Sequence, residues 1–377
     1  MKVLFVGKYY PPSAGGIERY SQLLCAGLVE LGVDVEVVAA AEDSGTKTTT
    51  ESVDGVRVHR AGSFGKVYGV ALAPGMLSLT RHLAADCDIV HLNFPNPLGE
   101  IAYAALSHKL PTVLTYHCDV YRQRAALWAY SPFVHRLLSR MGRIIPTSDN
   151  YVASSPFLAR EKSRCTVIPL PADLEWLSAE RSPDLEGRLR QRYGRFVLFV
   201  GRLVYYKGLQ HLIDAIARIP DLSLVIVGSG RERGPLEARA QQGSAAERVF
   251  FTGKIPEPEL RELYQTCECF VLPSIARAEA FGAVQIEAMA CGKPVVSTEL
   301  GTGTSWVNRD GETGLVVPPA DPEALAVTIR RLVDDDELRA RMGREALRWA
   351  QQFGYRAIAE KTLKVYREVI AARPGPT

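Results

Sequence analysis

The chain has 377 residues, of which 47% are hydrophobic and 23% are charged. This length and composition exclude a disordered or fibrous protein and predict two globular domains. The formal charge of +3 is too small to indicate nucleic-acid binding, so we expect no nucleic-acid partner. The seven cysteines are scattered, mostly through apolar runs, with no Cys-x-x-Cys pair, which is typical of a reducing cytoplasm.

A repeated alternation of short apolar runs and helical patterns fills the first half of the chain. The run at 3–7 is followed by a turn-rich loop and a helical pattern over 17–31. Further runs of strand length lie at 33–39, 56–59, 89–92, 112–116 and 144–147. This alternation is typical of buried parallel strands joined by helices. The first apolar run is too short for a signal peptide, and no stretch approaches the roughly 20 apolar residues of a membrane span. We expect a cytoplasmic protein, soluble or peripheral to a membrane.

The second half repeats the plan after Pro169 and Pro171 interrupt it. The predicted strands lie at 196–200, 222–227, 249–252, 269–272 and 294–297, with helices at 208–219 and from Pro235. A charged helical segment follows at 336–372, with apolar residues spaced for one buried face. The fold class is therefore α/β, with two doubly wound parallel sheets in tandem. We predict a first domain at 1–170, completed by 353–377, and a second domain at 171–352.

Two loops that follow predicted strands carry residues suited to binding a phosphate. Gly15 and Gly16 let the backbone approach a ligand, and the next helix presents free N–H groups to an anion. An ordinary tight turn would give the same pattern. Arg202 and Lys207 lie between the first strand of the second half and its helix. A guanidinium group and an ammonium group together indicate a pyrophosphate site, whereas either alone is explained by a solvated surface.

A third segment carries two glutamates, Glu279 and Glu287, where a strand gives way to a helix. Glu279 is predicted in the loop and Glu287 about a turn and a half into the helix. Taken alone, the two carboxylates suggest acid and base work, as in glycoside hydrolysis; a helix with surface glutamates is the structural alternative. His117 ends another predicted strand, where its side chain is expected to project towards a ligand, although a lone histidine is usually structural.

Two further motifs are set aside. Asp86 and Asp88 have the form of a metal-binding Asp-x-Asp but precede a strand, at the sheet edge away from the ligand-binding loops. Gly228, Gly230 and Gly234 follow a strand, but the third glycine is one place late for a dinucleotide fingerprint and no acidic residue closes the next strand. We therefore predict no metal ion and no dinucleotide cofactor.

The order of these landmarks resembles that of the family 4 glycosyltransferases, a retaining GT-B family, across essentially the whole chain. The matching positions, in chain order, are Tyr9-Tyr10-Pro11-Pro12 with Gly15 and Gly16, Gly201-Arg202 with Lys207-Gly208, and Glu279 with Glu287. The resemblance implies two Rossmann-like domains facing across a cleft, with the C-terminal helix crossing back to the first domain. Ala280 and the pair Tyr205-Tyr206 depart from the common pattern and bear on donor contacts.

The resemblance also implies a role for each site residue towards a nucleotide-sugar donor. The pyrophosphate would be bound by Arg202 and Lys207, aided by Gly16 and by backbone N–H groups of Phe281, Gly282 and Ala283. The sugar would be bound by Glu279 and His117, the ribose by Glu287, and the base by the backbone at Lys254 and Ile255. The anomeric configuration would be retained, with the leaving phosphate accepting the acceptor's proton and no metal required.

The donor and acceptor rest on weaker similarities. The runs at 93–97, 116–119 and 297–303 are similar to those of bacterial mannosyl- and rhamnosyltransferases of surface polysaccharides. They favour GDP-mannose as donor, with a UDP-sugar or GDP-rhamnose as the alternative, and a glycan or polyprenyl-linked acceptor.

The segment 121–143 carries five arginines and no acid among apolar residues, which predicts docking on an anionic membrane or a half-buried surface helix. A nucleotide-sugar epimerase and a non-catalytic sugar-nucleotide sensor are the alternatives of other classes.

Overall fold

The computed structural model describes residues 1–13, 15–67, 70–106, 110–120, 124–179 and 182–372, and the side chains at 43, 44, 70, 124–129 and 183 are outside the description. The chain divides into two compact units, Met1–Ala172 with Gly354–Thr377 and Asp173–Phe353. All of its cysteines are free thiols. None of the helices in the described ranges is long and apolar enough to span a bilayer.

The first unit is built on a seven-stranded sheet. The strands of this unit are β1 (Lys2–Val6), β2 (Asp34–Ser44), β3 (Thr49–Val53), β4 (Val56–Ser63), β5 (Lys66–Val67), β6 (Val70–Ala71), β7 (Ile89–Phe94), β8 (Thr112–Tyr116) and β9 (Arg143–Pro146). Strands β5 and β6 form a small separate hairpin, and the other seven lie side by side in the order β3-β4-β2-β1-β7-β8-β9. Within the seven-stranded sheet all pairs are parallel except β3 with β4, and the separate pair β5–β6 is antiparallel. The central strands are buried on both faces, as parallel sheets covered by helices require.

Helices connect these strands. They are α1 (Gly16–Glu30), α2 (Gly75–Ala84), α3 (Pro97–Ala104), α4 (Arg124–Leu138) and α5 (Asp149–Ser154). The Asn96 side chain accepts a hydrogen bond from the Gly99 N–H and so caps α3, and Ser148 caps α5 in the same way through the Tyr151 N–H. Side-chain caps therefore fix two helix starts directly after β7 and β9, at the carboxyl edge of the sheet.

The second unit holds a six-stranded parallel sheet in the order β12-β11-β10-β13-β14-β15. Its strands are β10 (Phe196–Val200), β11 (Ser223–Val227), β12 (Val249–Gly253), β13 (Phe270–Leu272), β14 (Val295–Thr298) and β15 (Gly314–Val317). Its helices are α6 (Leu174–Ser178), α7 (Pro183–Tyr193), α8 (Leu209–Ala217), α9 (Arg233–Gln242), α10 (Glu257–Thr266), α11 (Val284–Ala290), α12 (Thr304–Val307), α13 (Pro322–Asp334) and α14 (Asp336–Ala350).

The last helix, α15 (Tyr355–Ala371), belongs to the first unit. It packs on α1, where a Cβ on Gly27 would lie 2.8 Å from the Ala359 Cβ, so a glycine lets the two helices approach closely. Tyr366 joins the buried core of the first unit. The return of the C-terminal helix to the first domain is therefore confirmed, as are the α/β class and the two parallel sheets. The single buried face predicted over 336–372 is wrong at Leu347, which is 40% exposed.

Candidate functional site

The order of strands in the second unit places two loops side by side. Strand β10 lies between β11 and β13, so the connection from β10 to β11 and the connection from β13 to β14 run in opposite directions. Ligands of doubly wound sheets bind at the carboxyl ends of the strands beside such a switch point. Lys207 follows β10 and Glu279 follows β13, so the sheet brings together two residues that are distant in the sequence.

Glycines make this close packing of loops possible. A Cβ on Gly208 would lie 2.1 Å from the Pro273 carbonyl oxygen, and one on Gly228 would lie 1.9 Å from the Gly201 carbonyl oxygen. Both glycines also have positive φ, of +66° and +132°, which other residues rarely adopt. Only glycine therefore fits where the loop after β10 contacts the loops after β11 and β13.

Lys207 and Glu279 form a buried ion pair at this edge. The Lys207 Nζ lies 2.6 Å from the Glu279 Oε2, and the two residues are 7% and 8% exposed. The Ser274 hydroxyl donates a hydrogen bond to the same Oε2 at 2.9 Å. The Thr302 hydroxyl holds the backbone of Glu279 by donating to its carbonyl oxygen at 2.8 Å. Neither Ser274 nor Thr302 was singled out from the sequence. Ser274 could have been recognised as a polar residue close to the carboxyl end of a predicted strand, from which only Pro273 separates it.

Arg202 lies on the same loop but is exposed. Its guanidinium Nη2 lies 3.4 Å from the Tyr206 hydroxyl, a long contact that leaves the side chain available to an anion. The neighbouring rings of Tyr205 and Tyr206 meet edge to face, with centroids 5.7 Å apart. The predicted cationic pair therefore consists of one buried and one exposed side chain.

The backbone of the segment 281–283 turns sharply before α11. Gly282 has a φ of +72°, and a Cβ there would lie 2.7 Å from the Leu272 Cδ2. The Phe281 side chain is buried and packs against Trp306 and Phe353, with ring centroids 6.2 and 6.5 Å away. These contacts fix the course of the backbone whose N–H groups were assigned to the pyrophosphate; Ala283 is the residue directly before the helix.

Glu287 lies in the first turn of α11, not a turn and a half into the helix as predicted, because the helix begins only at Val284. The Tyr264 hydroxyl donates a hydrogen bond of 2.6 Å to its Oε2. Burial, together with the charge of Glu287, raises the pKa of Tyr264 well above its usual value, so the phenol stays protonated as the donor. Lys254 and Ile255 directly follow β12, with Lys254 exposed and Ile255 half-buried.

In the first unit, the two glycines lie where predicted, at the start of α1. The Gly15 carbonyl accepts the first helical bond, from the Arg19 N–H at 3.0 Å. A Cβ on Gly16 would meet no heavy atom of the described residues within 4 Å. Packing among these residues therefore gives no reason for a glycine at this position, whereas a ligand that approaches the helix start would do so.

His117 follows β8 and is 6% exposed. Its Nε2 lies 2.8 Å from the Asn93 Oδ1, and the Tyr20 ring packs edge-on against the imidazole with centroids 4.7 Å apart. Burial lowers the pKa of His117 to about 3, so the imidazole is neutral near pH 7. A neutral histidine held in one orientation can form hydrogen bonds with a ligand but no ion pair.

Comparison with known proteins identifies the family to which this chain belongs. A family model described as glycosyl transferases group 1 matches residues 188–349, and one described as a glycosyl transferase 4-like domain matches residues 15–171. A D-rhamnosyltransferase, WbpZ, of Pseudomonas aeruginosa is 35% identical over 94% of this chain and 92% of its own length. The chain belongs to the glycosyltransferases of group 1 and 4-like type.

Two further similarities support this assignment. The O-antigen chain mannosyltransferase C of Escherichia coli is 34% identical to this glycosyltransferase over 92% of the chain and 93% of the relative. The sucrose-phosphate synthase of Thermosynechococcus elongatus has a similar structure, with a TM-score of 0.83 and 25% identity over 99% of this chain and 100% of that chain. The fold of this glycosyltransferase is thus GT-B, as the order of its motifs indicated.

The remaining predicted features have mixed outcomes. Asp88 lies at the amino edge of the first sheet, as predicted, where its carboxylate accepts a hydrogen bond from the Lys2 N–H at 2.7 Å. In the segment 121–143, residues 121–123 and the side chains of 124–129 lie outside the described residues. Leu137 and Leu138 are buried in the first unit, whereas Arg136 and Arg140 are exposed.

Within the described ranges, no three His, Cys, Asp or Glu side chains converge as a metal site, and independence from metal stays a prediction.

Proposed function

We propose that this glycosyltransferase transfers a hexose, with retention of configuration, from a nucleotide-sugar donor to a saccharide or lipid-linked acceptor of a bacterial surface glycan. GDP-mannose is the first candidate donor. The observation that carries the proposal is the buried contact between Lys207 and Glu279 beside the switch point of the second sheet. A cation for the leaving diphosphate and a carboxylate for sugar hydroxyls stand next to each other there, as displacement at the anomeric carbon requires.

The diphosphate is assigned to Arg202 and Lys207. Arg202 offers a planar fork that matches two phosphate oxygens, and Lys207 offers a point charge in a buried position, where electrostatic interactions are stronger than in water. Stabilising the departing nucleotide in this way needs no divalent cation. The hydrogen bond from Tyr264 orients the Glu287 carboxylate, which supports its assignment to the ribose hydroxyls. The backbone at Lys254 and Ile255 is assigned to the base.

The reaction we propose needs no nucleophile from the protein. The bond between the anomeric carbon and the phosphate oxygen breaks as the acceptor oxygen attacks from the same face, and the leaving phosphate takes the acceptor's proton. Glu279 holds sugar hydroxyls while Lys207 stabilises the charge that develops on the phosphate. His117, neutral and fixed by Asn93, is assigned a hydrogen bond to the sugar near the reacting carbon.

The similarity to a rhamnosyltransferase and an O-antigen mannosyltransferase supports a GDP-linked hexose and a surface-glycan acceptor. A UDP-sugar is the alternative donor. Thermal-shift screening with GDP-, UDP- and ADP-sugars identifies the donor, because a ligand that binds only the folded protein stabilises it by mass action. Mass spectrometry then detects the hexose on an acceptor. A free sugar released without any acceptor product would point to an epimerase and sink the proposal, and a strict requirement for added Mg²⁺ or Mn²⁺ would refute the metal-free mechanism.

We also propose that the first unit contacts an anionic membrane surface through exposed arginines near α4. Leu137 and Leu138 are buried in the protein, so these apolar side chains do not insert into lipid and the proposed contact relies on the arginines. The attraction would then be electrostatic, worth about 1 kcal/mol for each arginine near an anionic surface and weakened by salt. Such a contact would hold the enzyme at the cytoplasmic face of the membrane, where polyprenyl-linked acceptors lie.

A charge-matched comparison tests the membrane contact. Replacing Arg136, Arg140 and Arg143 by Ser should abolish sedimentation with liposomes of phosphatidylglycerol and phosphatidylcholine. The control triple variant, with Arg218, Arg231 and Arg344 replaced by Ser, removes the same charge from exposed positions of the second unit and should sediment like the wild type. Equal sedimentation of the two triple variants would show that the α4 region has no special role.

A further inference from the structure

A chain of hydrogen bonds fixes the orientation of the Asn93 amide beside His117. The Ser21 hydroxyl donates to the Ile17 carbonyl oxygen at 2.8 Å, one turn earlier in α1. The Asn93 Nδ2 donates to the Ser21 Oγ at 3.3 Å. With its nitrogen directed at Ser21, the Asn93 amide presents its oxygen, Oδ1, to the His117 Nε2 at 2.8 Å.

This orientation decides which nitrogen of His117 carries the proton. An amide oxygen can only accept a hydrogen bond, so the His117 Nε2 must be the donor and carry the hydrogen. The imidazole is neutral near pH 7 because burial lowers its pKa to about 3, and it therefore has one N–H. The other nitrogen, Nδ1, presents a lone pair and makes no hydrogen bond with the described residues.

A second chain of polar groups holds the ring against which His117 packs. The Tyr20 ring meets the imidazole edge-on, at an interplanar angle of 81°. The Tyr20 hydroxyl lies 2.7 Å from the Thr115 Oγ1, which lies 2.8 Å from the His91 Nε2. The His91 Nδ1 in turn contacts the Tyr366 hydroxyl of α15. All these groups are buried, so both the plane and the tautomer of His117 are set by neighbours within the first unit.

We propose that Asn93 is a positioning residue that fixes His117 as the Nε2–H tautomer, so that Nδ1 accepts a hydrogen bond from a hydroxyl of the bound sugar. His117 then serves as a hydrogen-bond acceptor and not as a proton donor in the reaction. The contact with sugar rests on the proposed function, whereas the tautomer follows from the hydrogen bonds of the first unit alone. A donor that lacks the hydroxyl facing Nδ1 loses this hydrogen bond, so the enzyme discriminates against that deoxy analogue.

Nuclear magnetic resonance of the full chain with ¹⁵N-labelled histidine tests the tautomer directly. The His117→Gln variant assigns the signals, and we expect the wild type to show a protonated Nε2 and an unprotonated Nδ1 between pH 6 and 8. The Thr115→Val variant, which changes the contacts of Tyr20 and His91 but not those of Asn93, should keep the same tautomer. A protonated Nδ1 in the wild-type protein would overturn the proposal.

The pH profile of the Asn93→Asp variant separates positioning from a merely structural role. The carboxylate still accepts from Nε2, but its negative charge favours the imidazolium and raises the pKa of His117. The other titratable groups around the ring are Tyr20 of α1, His91 of β7, and Cys118 and Asp119 beyond β8, and none of them changes. A neighbouring opposite charge shifts a pKa by about 1–3 units, which brings that of His117 from about 3 to at most about 6. Below the new pKa, Nδ1 becomes a donor, so kcat at pH 5 should fall up to about tenfold relative to the wild type at that pH, while kcat at pH 8.5 stays near that of the wild type.

An unchanged pH profile in Asn93→Asp, with the histidine signals of the wild type, would refute the role of Asn93. The Nε2–H tautomer together with no transfer from any sugar nucleotide would sink the proposed function and still support the Asn93–His117 assignment. The two failures are therefore distinguishable.

Discussion

The ion pair between Lys207 and Glu279 makes Glu279→Gln a sharp test of how the donor site works. The substitution keeps the shape of the side chain and the hydrogen bond from Ser274, but it removes the charge that lies 2.6 Å from the Lys207 Nζ. Breaking a buried pair by removing one partner costs about 3–5 kcal/mol. Because both side chains keep about a tenth of their surface exposed, we expect the lower figure, which lowers the Tm of the second unit by roughly 6–12 °C.

A nucleoside diphosphate should reverse part of this loss. At a hundredfold excess over Kd, a ligand stabilises the wild type by about 2.7 kcal/mol. In Glu279→Gln the phosphate also supplies the missing countercharge to Lys207, so GDP or UDP should raise the Tm more than in the wild type, although sugar transfer is lost. Differential scanning fluorimetry measures both shifts. The Glu268→Gln variant is the matched control: its buried carboxylate is paired with Arg195 and Arg339, but it precedes β13 and so lies at the sheet edge away from the donor site. Its ligand-induced shift should equal that of the wild type. A smaller ligand-induced shift in Glu279→Gln than in the wild type would refute the assignment of Lys207 to the diphosphate.

Two further predictions concern the first unit. Gly16→Ala places a methyl group where no heavy atom of the described part of the chain lies within 4 Å, so stability should be unchanged or rise by up to about 1 kcal/mol. The KM for the donor should rise at least tenfold, and wild-type kinetics would show that no ligand approaches this position. Burial raises the pKa of Glu100 to about 7 despite the hydrogen bonds from Tyr130 and the Asn96 N–H. The pKa of this carboxyl in the unfolded chain is about 4.5. Between about pH 4.5 and 7 the folded protein therefore keeps a proton that the unfolded chain has lost, and the stability of the wild type falls as the pH rises through this range. Urea denaturation should show Glu100→Gln gaining about 3 kcal/mol relative to the wild type over that window, and a constant difference would contradict the burial argument.

Most of the fold was predictable because its strands are short apolar runs buried on both faces. Strand β10, Phe196–Val200, is buried at every position, and such a run is recognisable without any partner. Strand β3 was missed because four of its five residues are exposed and polar or charged in character, so it has neither an apolar run nor a clear alternation. It forms only because it pairs with β4 across the turn at Asp54 and Gly55, both of which have positive φ.

The motifs of the candidate site could be picked out from the sequence, but the contacts between its residues could not. Motif order identified Lys207 and Glu279 separately, and nothing local indicates that they touch, because their contact depends on β10 and β13 lying side by side in the sheet. The depth of Glu287 in its helix was overestimated because the positive φ of Gly282 delays the start of α11. The role of Asn93 beside His117 depends in the same way on the pairing of β7 with β8.

The central claim is that the protein transfers a hexose with retention, using Lys207 and Glu279 at the donor. The most direct test is proton nuclear magnetic resonance of the product formed from GDP-α-D-mannose and an acceptor glycan in the presence of EDTA, beside a matched reaction with Lys207→Met. We predict an α-linked mannose in the wild-type reaction and none in the variant. A β-linked product, or equal transfer by Lys207→Met, would contradict the account.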